Sequence, residues 1–167
     1  MDQLALAQDK NKLPKELRDE VIEKVKSRFA HWGYPLTKHE IIVTDFGLGD
    51  FWRVGLVENW MVNDTSAGYC GKYLFLFANQ TCPKHRHKDK RETFIVMKGL
   101  VRMEYDGRVL DMLPGDVLTV ERWNDHRFTG LVDSLIIEVS QPSIVDDNYF
   151  ADRGVCYGKY IGDAETE

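Results

Sequence analysis

A chain of 167 residues and 19.4 kDa is one domain's worth of polypeptide, long enough to bury a single sizeable core without disulfide or metal staples. Its 22 Lys+Arg against 27 Asp+Glu leave a formal charge of −5 with no basic run, which excludes nucleic acid and anionic membrane surfaces as expected partners. At 43% hydrophobic and 29% charged, with 4 Trp, 7 Tyr and 8 Phe, the chain is too apolar for a disordered protein, and its longest apolar run, residues 73–78, is far below the ~20 residues of a membrane span.

Residues 1–12 are polar and are expected to fray. Pro14 then opens a predicted helix in which Leu17, Val21, Val25 and Phe29 recur every four residues with Ile22 beside them, and Gly33 and Pro35 end it. From Glu40 onward the pattern is short β-rich runs separated by turn residues. Strands are expected at 41–44, 53–62, 72–77, 93–97, 100–105, 117–120, 127–129 and 134–139, a density that predicts an all-β sandwich or barrel. Gly99 breaks one pair of strands, Asp106-Gly107 suits a tight hairpin, and Pro114-Gly115 suits a turn with positive φ at the glycine. The tail from Gln141, with Asp146, Asp147, Tyr149, Phe150 and Tyr157, is expected to pack across the outside without extending the sheet. This divides the chain into a helical extension, 1–39, and a barrel with its tail, 40–167. No basic stretch followed by an apolar stretch and a cleavage site opens the chain. The cysteines Cys70, Cys82 and Cys156 are odd in number and irregularly spaced. Both features point to a cytoplasmic protein with reduced thiols.

One constellation carries chemistry: His85-Arg86-His87, then Glu92, Gly99, Gly115 and His126. Side chains two apart on a strand point the same way, so His85 and His87 present two imidazoles to one point, Glu92 returns from the next segment, and His126 completes a three-His, one-carboxylate set. Such ligands suit Mn²⁺, Fe²⁺, Co²⁺, Ni²⁺ or Zn²⁺, and the affinity order does not choose between them. An isolated His-x-His in a β-protein is more often a surface pair than a ligand set. Here His85-x-His87, four residues, Glu92, six residues, Gly99, and then Gly115, ten residues, His126 resembles both halves of the cupin metal signature, which implies a double-stranded β-helix, a jelly-roll barrel with the metal in its mouth. Two departures stand out. Asn79 replaces the usual first glycine, and Glu121 and Trp123 replace the usual proline and glycine of the second half.

The strings Gly47-Leu48-Gly49, Val54-Gly55-Leu56, Val62-Asn63, Tyr69-Cys70-x-Lys72, Leu74-x-Leu76-Phe77, Gln80-Thr81-Cys82-Pro83-x-His85-Arg86-His87 and Glu92-Thr93-Phe94 are similar to the shorter D-lyxose isomerases of the cupin superfamily. That resemblance implies a Mn²⁺-dependent homodimer interconverting D-lyxose and D-xylulose, with D-mannose and D-fructose as a second pair.

Aldose–ketose isomerisation needs a base for the proton beside a carbonyl and a Lewis acid for the two neighbouring oxygens. Glu138, in the apolar run 135–139, is the candidate base if it shares the inner face with Ile136, where burial is expected to raise its pKa; a solvent-facing position is the alternative. Lys72 is the second candidate. The resemblance implies that it points into the pocket, against the alternative of an edge-strand lysine that discourages aggregation. Glu92 is a possible base while also ligating. Cys82 is expected to be a packed thiol, and His31 and His39 lie outside the ligand spacing. Trp123 is the best-placed aromatic for stacking on a sugar, and Arg86 is expected to point outward. Two other readings stand beside the isomerase: an Fe²⁺ cupin dioxygenase and a non-catalytic sugar-binding cupin.

Overall fold

The computed structural model describes residues 2–10 and 13–166; Met1, Asn11 and Lys12 of the expected frayed segment lie outside these. Along the chain come helices α1 (Gln3–Lys10) and α2 (Lys15–Trp32) and strands β1 (Ile41–Thr44), β2 (Leu56–Asp64), β3 (Tyr69–Leu76), β4 (His85–Arg86), β5 (Glu92–Lys98) and β6 (Val101–Tyr105). They are followed by β7 (Arg108–Met112), β8 (Val117–Val120), β9 (His126–Gly130), β10 (Ser134–Ser140), β11 (Tyr149–Phe150) and β12 (Lys159–Tyr160). Two sheets form, in the order β1-β2-β3-β10-β5-β8 and β12-β11-β4-β9-β6-β7. Packed face to face they make the jelly roll that the cupin resemblance implies.

The two sheets close over a core of Leu56, Leu74, Leu76, Phe94, Val96, Met103, Phe128 and Ile136, all buried. A second core lies on the outer face of the first sheet. There Val21, Val25 and Phe29 of α2 pack on Val43, Val57, Phe75 and Leu135, so the four-residue apolar period of the helix is spent on this one face. Gly33 ends α2 in the left-handed conformation (φ 76°), its N–H bonding to the Ala30 carbonyl and that of Tyr34 to the Phe29 carbonyl.

Four expectations are revised. Residues 3–10 are helical: Asp2 caps the first turn through Leu4 N–H (3.0 Å), and Gln3 and Gln8 tie the helix to Val145 N–H (2.8 Å) and Glu40 (2.8 Å). A helix this short is marginal alone, so docking sustains it. The run expected from residue 53 starts at Leu56, because Asp50 turns the chain by accepting the N–H groups of Arg53 and Val54. Strand β7, unforeseen, completes the Asp106-Gly107 hairpin, both residues taking positive φ (51° and 72°). The tail does extend a sheet. Phe150 is 2% exposed in the barrel core, and its strand β11 pairs with β4, Phe150 opposite His85 and Tyr149 opposite Arg86.

Candidate metal centre

Strand β4 pairs with β9 so that His85 lies directly opposite His126, forty-one positions along the chain but adjacent in the sheet. His87 follows just past β4, and Glu92 opens β5 in the facing sheet. The four residues are all buried, and one ligand atom from each falls within 4.8 Å of the others. All four expected ligands are therefore brought together.

The imidazoles are oriented from behind. Nδ1–H of His85 donates to the Pro83 carbonyl (2.8 Å), that of His87 to the Asp147 carbonyl (2.8 Å), and that of His126 to the Asn124 carbonyl (3.1 Å). With each proton fixed on Nδ1, the Nε2 lone pairs turn inward, the arrangement metal-ligating histidines adopt. Glu92 Oε1 then sits 2.8 Å from His126 Nε2 and 3.3 Å from His87 Nε2. Close as they are, these three atoms are buried without a hydrogen-bond donor among them. Lone pairs facing one another in a dry site repel, and a divalent cation resolves the conflict, so the donor set fits a metal ion. Burial disfavours the charge on Glu92, but the Lys90 ammonium holds its carboxyl well below the usual range. Burial, with His126 and His87 close by, keeps the His85 imidazole well below its ordinary pKa, neutral and able to ligate.

The tail supports this loop. Asp147 accepts the N–H groups of Lys88 (2.9 Å) and Asp89 (3.1 Å) on its carboxylate while its carbonyl holds His87. That clamp is invisible along the chain, since residue 147 meets the loop only through the fold.

Glu138 shares the inner face with Ile136 and is 3% exposed, excluding the solvent-facing alternative. Its pKa is lowered, not raised. Burial does push it up, but the Lys72 and Lys90 ammoniums outweigh that push. Lys72 is opposite Glu138 in the β3–β10 ladder, and β3 lies between β2 and β10, which removes the edge-strand reading. Its ammonium bonds Ser143 Oγ (2.8 Å), pairs with Glu58 (3.3 Å) and lies 4.5 Å from the centre of the Trp60 ring.

The cavity that holds Glu92 and Glu138 is also lined by Glu58, Trp60, Phe150 and Tyr157, and by Ala7 and Lys10 of α1. Sequence reading missed Lys90 and Glu58. Lys90 is 5% exposed, its Nζ 2.7 Å from Glu92 Oε2 and 2.8 Å from Glu138 Oε1. Its signal was parity: Lys90, Glu92, Phe94 and Val96 alternate inward along one line. Glu58 shares that kind of signal with Leu56 and Trp60.

Other expectations sort cleanly. Cys82 is a buried thiol (3% exposed) whose pKa burial and Glu58 push well up. Trp123 does not line the cavity; it packs on Tyr149 (5.1 Å between centroids) and under Arg86 (5.3 Å). Arg86 turns away from the imidazoles as expected, and the tail covers it, its guanidinium donating to the Ile161 carbonyl (3.2 Å). The two residues that stand where the signature has glycine keep the backbone that glycine would supply. Asn79 has φ 65° and Trp123 φ 64°, and the Trp123 N–H donates to the His87 carbonyl (2.8 Å). No helix among the described residues is long and apolar enough to cross a membrane.

Comparison with known proteins agrees with this geometry. Residues 75–136 match the cupin domain family and residues 41–103 the D-lyxose isomerase family. A D-lyxose/D-mannose isomerase of Thermosediminibacter oceani is 31% identical over 83% of this chain and 90% of its own length. A D-lyxose ketol-isomerase of a Thermofilum species is 30% identical over 86% and 96%. In fold the chain is similar to the L-ribose isomerase of Acinetobacter sp. DL28 solved with L-ribose, with a TM-score of 0.73 over 90% of this chain and 98% of that one, at 15% identity. Of the three readings the site chemistry left open, these relatives carry only one: the chain belongs to the D-lyxose isomerase family of the cupins and is a sugar aldose–ketose isomerase.

Proposed function

We propose that this protein interconverts D-lyxose and D-xylulose, with D-mannose and D-fructose as a second pair, and that His85, His87, Glu92 and His126 hold its divalent ion, Mn²⁺. A single observation carries the reading: four buried ligand groups converge, three of their ligand atoms with no hydrogen-bond donor among them, beside a buried carboxylate, Glu138, that no ligand role claims. The matched relatives, named for D-lyxose and D-mannose, supply the substrates.

A bound divalent ion supplies Lewis acidity to two neighbouring sugar oxygens. Glu138 is the group that moves the proton. Its Oε1 is occupied by Lys90 Nζ and Ser140 Oγ, each at 2.8 Å, leaving Oε2 to take a proton from the carbon beside the carbonyl and return it to the neighbouring carbon. Because Lys72 and Lys90 keep Glu138 ionised, it meets the sugar as a base. Lys72, on its Ser143 and Glu58 supports, donates a hydrogen bond to a sugar oxygen as charge develops there. Phe46, Phe94 and Phe150 wall the cavity and limit the water around the reacting carbons.

A homodimer and a cytoplasmic setting complete the proposal. The edge strands β7 and β8 and the turn between them leave Val109, Leu113 and Val117 exposed, a surface a second copy would cover, and the three cysteines are free thiols. The test is direct: incubate Mn²⁺-loaded protein with D-lyxose, D-mannose and other aldoses and measure ketose. Ketose from D-lyxose, with deuterium from D₂O appearing on the product carbon, supports the proposal. Demonstrably bound metal with no ketose from any aldose overturns it.

A further inference from the structure

The two carboxylates of the site, Glu92 and Glu138, come from neighbouring strands, and each has two oxygens that could do its work. One buried ammonium lies between them. Lys90 Nζ is 2.7 Å from Glu92 Oε2 and 2.8 Å from Glu138 Oε1, and both acids and the lysine are at most 5% exposed. The remaining oxygens are thereby sorted. Glu92 keeps Oε1 toward His87 and His126, at 3.3 and 2.8 Å. Glu138, whose Oε1 also accepts the Ser140 hydroxyl at 2.8 Å, keeps Oε2 without a hydrogen bond among the described residues.

We propose that Lys90 is a positioning residue that assigns the carboxylate oxygens of this site, restricting Glu92 to the ion through Oε1 alone and turning Glu138 Oε2 to the substrate. The proposal rests on the metal and base roles given above. Its physical ground is the directional demand of a buried ammonium: it offers three donors and no acceptor, and in a dry site each carboxylate oxygen it binds is withdrawn from other partners. Lys90 also holds the two acids at a fixed separation. Without it, two like charges one rung apart in the β5–β10 ladder repel, and Glu92 Oε2 is free to compete for the ion. Lys72 does not bridge the two acids; its ammonium bonds Ser143 at 2.8 Å and pairs with Glu58 at 3.3 Å. The backbone on either side of Lys90 is pinned as well. Asp147 holds the N–H groups of Lys88 and Asp89, and Gln141 exchanges hydrogen bonds with both the N–H and the carbonyl of Arg91.

The experiment compares wild type, Lys90→Met and Lys90→Arg, each loaded with Co²⁺ as a spectroscopic probe and assayed separately with Mn²⁺. In Lys90→Met we expect the visible Co²⁺ spectrum to shift as Glu92 changes its mode of coordination, and kcat on D-lyxose to fall by about 100-fold with a smaller change in KM. Lys90→Arg, which keeps the charge and bonds two carboxylates at once, returns the spectrum toward wild type and restores part of kcat. Lys90→Gln, which keeps a donor in the buried position, provides the same readout if the methionine variant does not fold. A wild-type spectrum and wild-type kcat in both neutral variants overturn the assignment while leaving the metal site and the isomerase reading intact. A wild-type protein that binds no Co²⁺ overturns both.

Discussion

Where β3, β10 and β5 run side by side, Leu74, Ile136 and Val96 form one inward rung of the barrel, and Lys72, Glu138 and Phe94 form the next. A further step brings Cys70, Ser140 and Glu92. The strands and the alternation are shared, yet one end of the interior is hydrocarbon and the other is a cluster of paired charges. The apolar rung stabilises through area removed from water and needs no specific partner. The charged rungs lose solvation on burial and recover it only through one another, so they add little net stability and a great deal of orientation. Substitutions at the two ends should therefore fail in different ways.

The largest effect is expected from breaking the ligand set. His126 is 1% exposed and directly opposite His85, so His126→Ala removes one inward lone pair without touching the apolar rung. Metal analysis should show loss of the bound ion, and ketose formation should fall below detection while the barrel stays folded by circular dichroism. Retention of full activity would mean that the third imidazole is not a ligand. Next comes Glu138→Gln, which keeps shape and hydrogen bonding but removes the base. Here kcat should fall about 1,000-fold with the metal still bound, and a smaller loss than 10-fold would move the proton transfer to another group.

Ile136→Ala tests the other end. The residue is fully buried at 0% exposure, and its truncation should cost about 2–5 kcal/mol of stability, read from denaturant or thermal unfolding. Its kcat per folded molecule should stay far nearer wild type than that of Glu138→Gln. If the two variants swapped signatures, the division between the ends would be wrong.

A pH series on the metal-free protein sharpens the same contrast. The folded pKa of His85 is depressed, so below the unfolded value of about 6.5 the unfolded chain binds a proton that the folded site refuses, and stability falls as pH falls. Glu92 and Glu138, also depressed when folded, add their loss only lower, below the ordinary carboxylate range of about 4. Between pH 7.5 and 5.5 the Tm should decline by a few degrees, about what 1 kcal/mol gives in a chain of this size, and Ile136→Ala should show the same slope at a lower Tm. A flat profile would show that the folded site accepts the proton without cost.

The two ends were also unequally legible in the sequence. Apolar alternation on a strand is local, so the inward line of Leu74 and Leu76 or of Ile136 could be read directly, as could turns whose backbone demands a particular residue. Gly99 takes φ 88°, and a Cβ there would lie 2.6 Å from the Asp133 carbonyl oxygen. The imidazoles and Glu92 were legible through their spacing. Lys90 and Glu58 were not, because a charged residue reads as solvated until its partners are known, and those partners come from other strands. Strand β7 escaped because Arg108, Val109, Leu110 and Asp111 are all exposed, leaving no alternation to detect. Strand β11 escaped because two residues carry no period, and only its pairing with β4 makes it a strand.

Trp123→Gly should have the smallest effect, and it separates a backbone requirement from a side-chain one. Residue 123 has φ 64°, a conformation that costs a non-glycine residue about 1–2 kcal/mol, and glycine removes that cost. Against this gain stand the contacts of the indole with Tyr149 and Arg86, each worth about 0.5–1 kcal/mol for a side chain that is 41% exposed. The two nearly cancel, so stability should change by no more than about 1 kcal/mol in either direction. The N–H that holds the His87 carbonyl survives in glycine, and the indole does not line the cavity, so KM for D-lyxose should not move. A rise in KM would instead restore this tryptophan as a surface on which the sugar stacks, and would mean that the tail moves aside when substrate binds.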